Sequence, residues 1–288
     1  MPQDLRLFRP AIVRRRAALA ALAAGLLIPA RRARADPMLL RIGGTGMALA
    51  TMRQIGDLFV ATNADVEIRI LPSLGTSGGL AAVAAGPIDL ALSARDLADA
   101  DRTKGLQGFA YARTPIAFVT HTDVGMQEIS LDGVARILAG QTTAWPNSTP
   151  VRLIRREPSD ADWTMLRGVS AAMADAVRIA LARPGLLTVA TDQDNADSIE
   201  RLPGSFGAMT IGQINAEARR VKPLVLDRVP PTVEALAAGR YPLSRTLTIV
   251  WREQHRQHVA RFLAALRGPE ASALLMRLGH IPLAGPGA

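Results

Sequence analysis

The sequence predicts an α/β fold, and three observations carry that prediction. Short β-rich runs alternate with helical stretches along the chain. A unit of strand, small-residue loop and helix occurs twice in succession, at 39–61 and 66–85. Two long β-rich runs, at 111–120 and 243–250, bracket a middle block, as in a chain that crosses to a second lobe and returns.

The chain begins with a segment that does not belong to this fold. Arg14-Arg15-Arg16 precede a short apolar run, Ala17 to Ile28, which Pro29 ends. Ala33-Arg34-Ala35 supplies a small-x-small cleavage site before Asp36. Residues 1–35 therefore read as a secretory signal peptide, the apolar run being too short for an ordinary membrane span. Arg15-Arg16-Ala17-Ala18-Leu19 resembles a twin-arginine signal. This expectation places the protein in the periplasm, across the inner membrane. Residues 1–35 also hold eight of the 34 Lys+Arg and one of the 25 Asp+Glu. The remainder carries 26 basic and 24 acidic residues, a formal net charge of +2 against +9 for the whole chain. No dense basic patch remains, which argues against a nucleic-acid partner. With no cysteine, disulfides and thiolate metal sites are excluded.

The first strand is Leu39 to Ile42. Gly43-Gly44-Thr45-Gly46-Met47 follows, and a helix runs to about Ala61, with Leu49, Met52, Ile55, Leu58 and Phe59 near helical spacing. The glycines admit close approach of a ligand and Thr45 offers a hydroxyl. The loop lacks G-x-G-x-x-G, so a dinucleotide site is set aside. Val66 to Leu71 alternates as a second strand. The loop Pro72 to Gly79 then opens a helix that stops at Gly86-Pro87. Its free N–H groups, with the hydroxyls of Thr76 and Ser77, form a place for an anion. Ile88 to Leu92 is a third strand, and Ser93 and Arg95 leave its end near the same crevice if it runs parallel to the first.

Gly108 to Thr120 is a long β run containing Pro115, and Leu131 to Ala139 is a helix with Ser130 as its N-cap. A turn follows at Gly140 to Asn147, in which Trp145 packs. Val151 to Arg156 is a strand, and the loop Glu157 to Asp162 precedes a helix from about Trp163. Further helices are expected at 171–182, 233–238, 254–266 and 270–278, and strands at 186–190, 205–209 and 221–226. Tyr241 to Val250 is the return run. His255 and His258 lie on a wet helical face, and His121 and His280 are read as structural.

These pieces in this order resemble the phosphate-binding proteins of bacterial ABC transporters, which have the type 2 periplasmic-binding-protein fold. The resemblance rests on Gly75-Thr76-Ser77-Gly78-Gly79, on Pro87 to Arg95, on Gly140 to Trp145 and on Tyr241-Pro242-Leu243-Ser244-Arg245. It implies two lobes, each a mixed sheet flanked by helices, joined by two crossing strands. Lobe I would comprise 36–113 and 243–288, the latter including the return crossing, and lobe II would comprise 114–242. It implies a monomer without cofactor or catalytic residues, which holds a small inorganic oxyanion and delivers it to a membrane permease. Its ligand contacts would fall on Thr45, Gly46 and Met47, on Thr76, Ser77 and Gly78, and on Arg156; Ser93 and Arg95 at the third strand's end, and Ser159, Asp160 and Asp162 of the far loop, complete the candidate site. Two departures stand out. The far loop reads Arg156-Glu157-Pro158-Ser159-Asp160-Ala161-Asp162, with carboxylates where the family has glycines and a hydroxyl, and Ala94 replaces the family's phosphate-specific Asp. A carboxylate repels a dianion unless the ligand gives it a proton. Asp160 and Asp162 also fit as a cap and first-turn charge of the next helix. Two other functions stay open: a sensor or binding module without transport duty, and a metal-assisted phosphatase using Asp160, Asp162 and Arg156.

Overall fold

The computed structural model describes residues 37–284, so the expected signal segment lies outside the described residues. The elements run β1 (Met38–Gly44), α1 (Gly46–Thr62), β2 (Val66–Ile70), α2 (Gly75–Ala85), β3 (Leu90–Ser93), α3 (Asp99–Arg102) and β4 (Leu106–Thr120). Next come β5 (Glu128–Ile129), α4 (Leu131–Leu138), β6 (Arg152–Leu153), β7 (Arg155–Arg156), α5 (Ala161–Arg167), α6 (Ala171–Ala182), β8 (Thr188–Val189) and α7 (Asp192–Arg201). The chain continues through β9 (Ser205–Thr210), α8 (Ile211–Ala216), β10 (Lys222–Pro223), β11 (Val225–Leu226), α9 (Val233–Ala237) and β12 (Ser244–Arg252). It ends in α10 (Arg256–Leu266), α11 (Pro269–Arg277) and β13 (Ile281–Pro282).

One mixed sheet joins two lobes, in the order β2-β1-β3-β12-β4-β9-β6, with β10 and β13 also paired to β4. β1 is parallel to β2 and β3. The two successive units, β1-α1-β2 and β2-α2-β3, thus wind to opposite sides of β1. Their loops meet at the C-terminal ends of the strands, where open α/β sheets place ligands. β4 and β12 are the two crossings. They pair antiparallel from Leu106↔Arg252 to Pro115↔Ser244, and the far half of β4 then pairs with β9 in lobe II.

Side chains alternate across this sheet as a strand covered on both faces requires. In lobe I, Leu90, Leu92, Leu247, Ile249 and Trp251 join a core built with α1, α10 and α11. Ala91 and Val250 face the other way, onto Leu80 and Val83 of α2. In lobe II, Ile116, Phe118 and Phe206 enter the core that holds Trp145 and Trp163, whereas Ala117, Val119 and Met209 face α7 and α8. Trp145 packs as expected, with its indole N–H donating to the Gly204 carbonyl at 2.9 Å.

The structure corrects the expected elements at several places, among them 151–156, which forms two strands, β6 paired with β9 and β7 paired with β8. Residues 221–226 form two separate strands: β10 pairs with β4, and β11 pairs with β5. α7 and α8 were not foreseen, and α7 turns out to be decisive for the site. No helix among the described residues is long and apolar enough to cross a membrane.

Candidate functional site

α1 begins at the end of β1, and Thr45 is its N-cap. A capping Thr usually turns its oxygen back onto the first turn. Here it does not. The Thr45 hydroxyl instead donates to Asp192 Oδ2 at 3.1 Å, and the Met47 N–H donates to the same oxygen at 2.9 Å. Asp192 belongs to the first turn of α7, in lobe II. A carboxylate from one lobe therefore sits on the helix N-terminus of the other, where unpaired N–H groups and the helix dipole favour negative charge.

The second oxygen of Asp192 is held from its own lobe. Arg156 Nη2 donates to Asp192 Oδ1 at 3.0 Å and to Asp160 Oδ2 at 2.6 Å, and Arg156 Nε donates to Asp160 Oδ2 at 2.9 Å. Arg156 Nη1 also donates to the Thr191 carbonyl, which fixes the guanidinium against the start of α7. Burial alone would lower the pKa of this guanidinium, but Asp192 and Asp160 outweigh it and hold it raised. Thr45, Met47 and Arg156, drawn from distant parts of the sequence, thus converge on one carboxylate.

The two glycines of the first loop have different tasks. Gly44 has φ of 131°, and a Cβ there would lie 2.1 Å from the Leu92 carbonyl oxygen, so it serves packing of β1 on β3. Gly46 leaves room for α7: a Cβ there would lie 2.3 Å from Gln193 Oε1 and 2.9 Å from Asp192 Cβ. Gln193 Nε2 donates to the Gly46 carbonyl at 3.0 Å, a second link between the lobes.

The second loop lies beside the first. The Thr45 N–H donates to the Leu92 carbonyl at 2.9 Å, and the Ala94 N–H donates to Thr76 Oγ1 at 3.0 Å. Both loops therefore flank the same end of β3, two residues apart along it. Thr76 is half-buried, and Ser77 and Gly78 are exposed. The Thr76 and Ser77 amides, in the first turn of α2, have no acceptor among the described residues.

Other expected contacts go elsewhere. Ser93 is buried and closes a local turn, its hydroxyl donating to the Arg95 carbonyl at 2.6 Å. Arg95 turns away to Asp101, with Nη1–Oδ2 at 2.7 Å, and to the Asp96 carbonyl. β3 is indeed parallel to β1, but these two residues are spent on their own loop. Ser159 is exposed in a turn. Asp160 caps α5, accepting from the Asp162 N–H at 2.9 Å, while it pairs with Arg156. Asp162 forms a buried ion pair with Arg245, the first charged residue of the return crossing. Burial pushes the Asp162 carboxyl up, to about 6, against the pull of Arg245, and Asp160 adds to the rise. Arg156 and Arg245 thus face Asp160, Asp162 and Asp192, a buried group with one excess negative charge when all are ionised.

The histidines stand apart. His258 and His255 flank the Arg41–Asp89 pair at the opposite end of the strands, with His258 Nε2 3.3 Å from the Leu39 carbonyl oxygen. His121 pairs with Asp123 at 2.7 Å. His280 is buried, 3.2 Å from Thr51 Oγ1, and burial lowers its pKa to about 4. Among the described residues no group of three or more His, Asp or Glu is placed to hold a metal ion.

Sequence reasoning missed Asp192, Gln193 and the partner role of Arg245. A signal for the first two was present. Thr191 followed three residues on by Asp194 is a helix-start pattern, and the Thr191 hydroxyl oxygen accepts from the Asp194 N–H at 3.0 Å.

Comparisons with known proteins agree on the fold. The chain is 27% identical over 104 residues to phosphate-binding protein PstS 2 of Streptococcus agalactiae, and spans about a third of that relative's length (35%, against 36% of this chain). It is 23% identical over 229 residues to phosphate-binding protein PstS of Bacillus subtilis, covering 75% of this chain and 68% of the relative. In structure it is similar to an ABC-transporter substrate-binding protein of Clostridium perfringens solved with phosphate bound. That similarity has a TM-score of 0.73 at 18% identity, over 85% of this chain and 100% of the other. The PBP superfamily domain matches residues 30–268, and with its two lobes joined by β4 and β12 the chain belongs to the PBP superfamily.

Proposed function

We propose that the protein is an exported solute-binding protein, acting as a monomer in the periplasm, which captures phosphate or a phosphate-like oxyanion between its lobes for an ABC-type permease. One observation carries the reading. A hydroxyl and an amide N–H of lobe I and a guanidinium of lobe II all point at one anionic group, that of Asp192. Donors that hold a carboxylate in this way suit the oxygens of a small oxyanion. The neighbouring N-terminus of α2, with Thr76 and Ser77, supplies further donors in the same crevice. The relatives' names, which specify phosphate, support the ligand class.

A second reading, a sensor or a binding module without transport duty, is favoured by the carboxylates of Asp160, Asp162 and Asp192 around the same donors. The phosphatase alternative loses its residues, because Asp160 and Asp162 are paired with Arg156 and Arg245. Titration calorimetry of the chain from Asp36 onward, against phosphate, sulfate, molybdate and arsenate, tests the proposal. Saturable binding of one anion per chain is expected. Heat of dilution only, up to millimolar anion, contradicts it.

A further inference from the structure

We infer that Asp192 is an internal ligand: its carboxylate occupies the place of the solute's anionic group, and a solute must displace it to bind. The inference rests on the oxyanion reading above and specifies which charge the solute carries.

Three observations support it. Both oxygens of Asp192 are fully engaged, one by Thr45 and Met47 across the cleft, the other by Arg156. The contact is built rather than incidental, since Gly46 has no side chain where one would collide with Asp192 and Gln193. Gln193 seals the same junction through the Gly46 carbonyl, yet its own Oε1 is buried without a partner. A junction that leaves a buried acceptor unsatisfied gives up part of its stability, which suits a contact that must open.

The charge balance then sets the solute class. With Asp192 swung away, Arg156 and Arg245 are balanced by Asp160 and Asp162. The vacated place suits one negative charge. A dianion would add a second charge to a buried group that has none to spare. The solute group is therefore a monoanion, either a carboxylate or an oxyanion that keeps a proton. Asp192, in the first turn of α7, would still have its own helix N-terminus beside it after displacement.

The test compares wild type, Asp192→Ala and Asp192→Asn by calorimetry with inorganic phosphate and with acetate. Thermal melting serves as the control for folding. Asp192→Ala should bind phosphate or acetate at least tenfold more tightly than wild type. Asp192→Asn keeps the bulk of the side chain and removes its charge, so it should show the same direction with a smaller gain, and it carries the test if the alanine variant does not fold. Equal affinity of wild type and both variants for phosphate would overturn the inference and leave the oxyanion reading standing. Acetate binding by Asp192→Ala with no phosphate binding by any form would do the reverse. No binding of either anion by any form overturns both.

Discussion

Replacing Asp162 by Asn should change how stability depends on pH in a direction opposite to the usual carboxylate. Most ion-paired carboxyls are held below their ordinary pKa, so their contribution is lost as pH falls. Asp162 is raised instead, to about 6, because burial outweighs its pairing with Arg245. A raised carboxyl binds its proton more tightly in the folded state than in the unfolded state. Its contribution is full below the unfolded value of roughly 3.9 and is lost as pH rises through about 6. The difference of about two pKa units corresponds to roughly 3 kcal/mol at 1.36 kcal/mol per unit. Only 14% of the Asp162 side chain is exposed, so solvent screening does little to reduce that figure. The assay is urea unfolding followed by tryptophan fluorescence, from pH 4 to pH 7, on wild type and Asp162→Asn. The quantity read is the difference between the two at each pH, which removes every titration they share. Wild type should lose roughly 2–3 kcal/mol relative to the variant over that interval. A difference that stays flat, or that moves in favour of wild type as pH rises, refutes the charge assignment of the buried group.

Three further outcomes follow from the same contacts. His280 is held neutral by burial, its pKa lowered to about 4, so its contribution is present above the ordinary value near 6.5 and is lost as pH falls toward 4. His280→Gln should remove up to about 3 kcal/mol of acid sensitivity between pH 7 and pH 4, read by the same unfolding series. Gly46→Ala places a methyl against Gln193 and Asp192 Cβ, and should destabilise by about 1–3 kcal/mol in urea unfolding. Thr76→Ala combined with Ser77→Ala should weaken phosphate binding by about 2–3 kcal/mol in calorimetry, and an unchanged affinity would remove the second loop from the site.

Much of lobe I was legible in the sequence because its elements are amphipathic and local. The apolar spacing of α1, the alternation in β2 and the glycines of the two loops each mark their own place. Ser130 marked α4 equally well, and its hydroxyl oxygen accepts from the Gly133 N–H at 3.0 Å. α7 was hidden because it carries little apolar signal: its buried residues include Ala196 and Ile199, with Asp192 and Asn195 beside them. Two buried apolar side chains in ten residues are too few to mark a helix by their spacing. The split of 221–226 into β10 and β11 depends on two partners, β4 and β5, far away in sequence. The site divides in the same way. Thr45 is marked by the loop that carries it, and Met47 and Arg156 by the family resemblance of their segments. The partners that Arg95 and Asp162 choose, Asp101 and Arg245, depend on which charge the folded chain brings near.

On the proposed function, Thr45, Met47 and Arg156 form one anion cradle between the lobes. Crystals of Asp192→Ala grown with perrhenate, a tetrahedral monoanion, would test it most directly, because the metal's anomalous scattering locates the anion without reference to any assumed pose. One strong peak per chain is expected, its oxygens within hydrogen-bond reach of the Thr45 hydroxyl, the Met47 N–H and the Arg156 guanidinium. A peak found only at the N-terminus of α2, or no peak between the lobes at all, would contradict it.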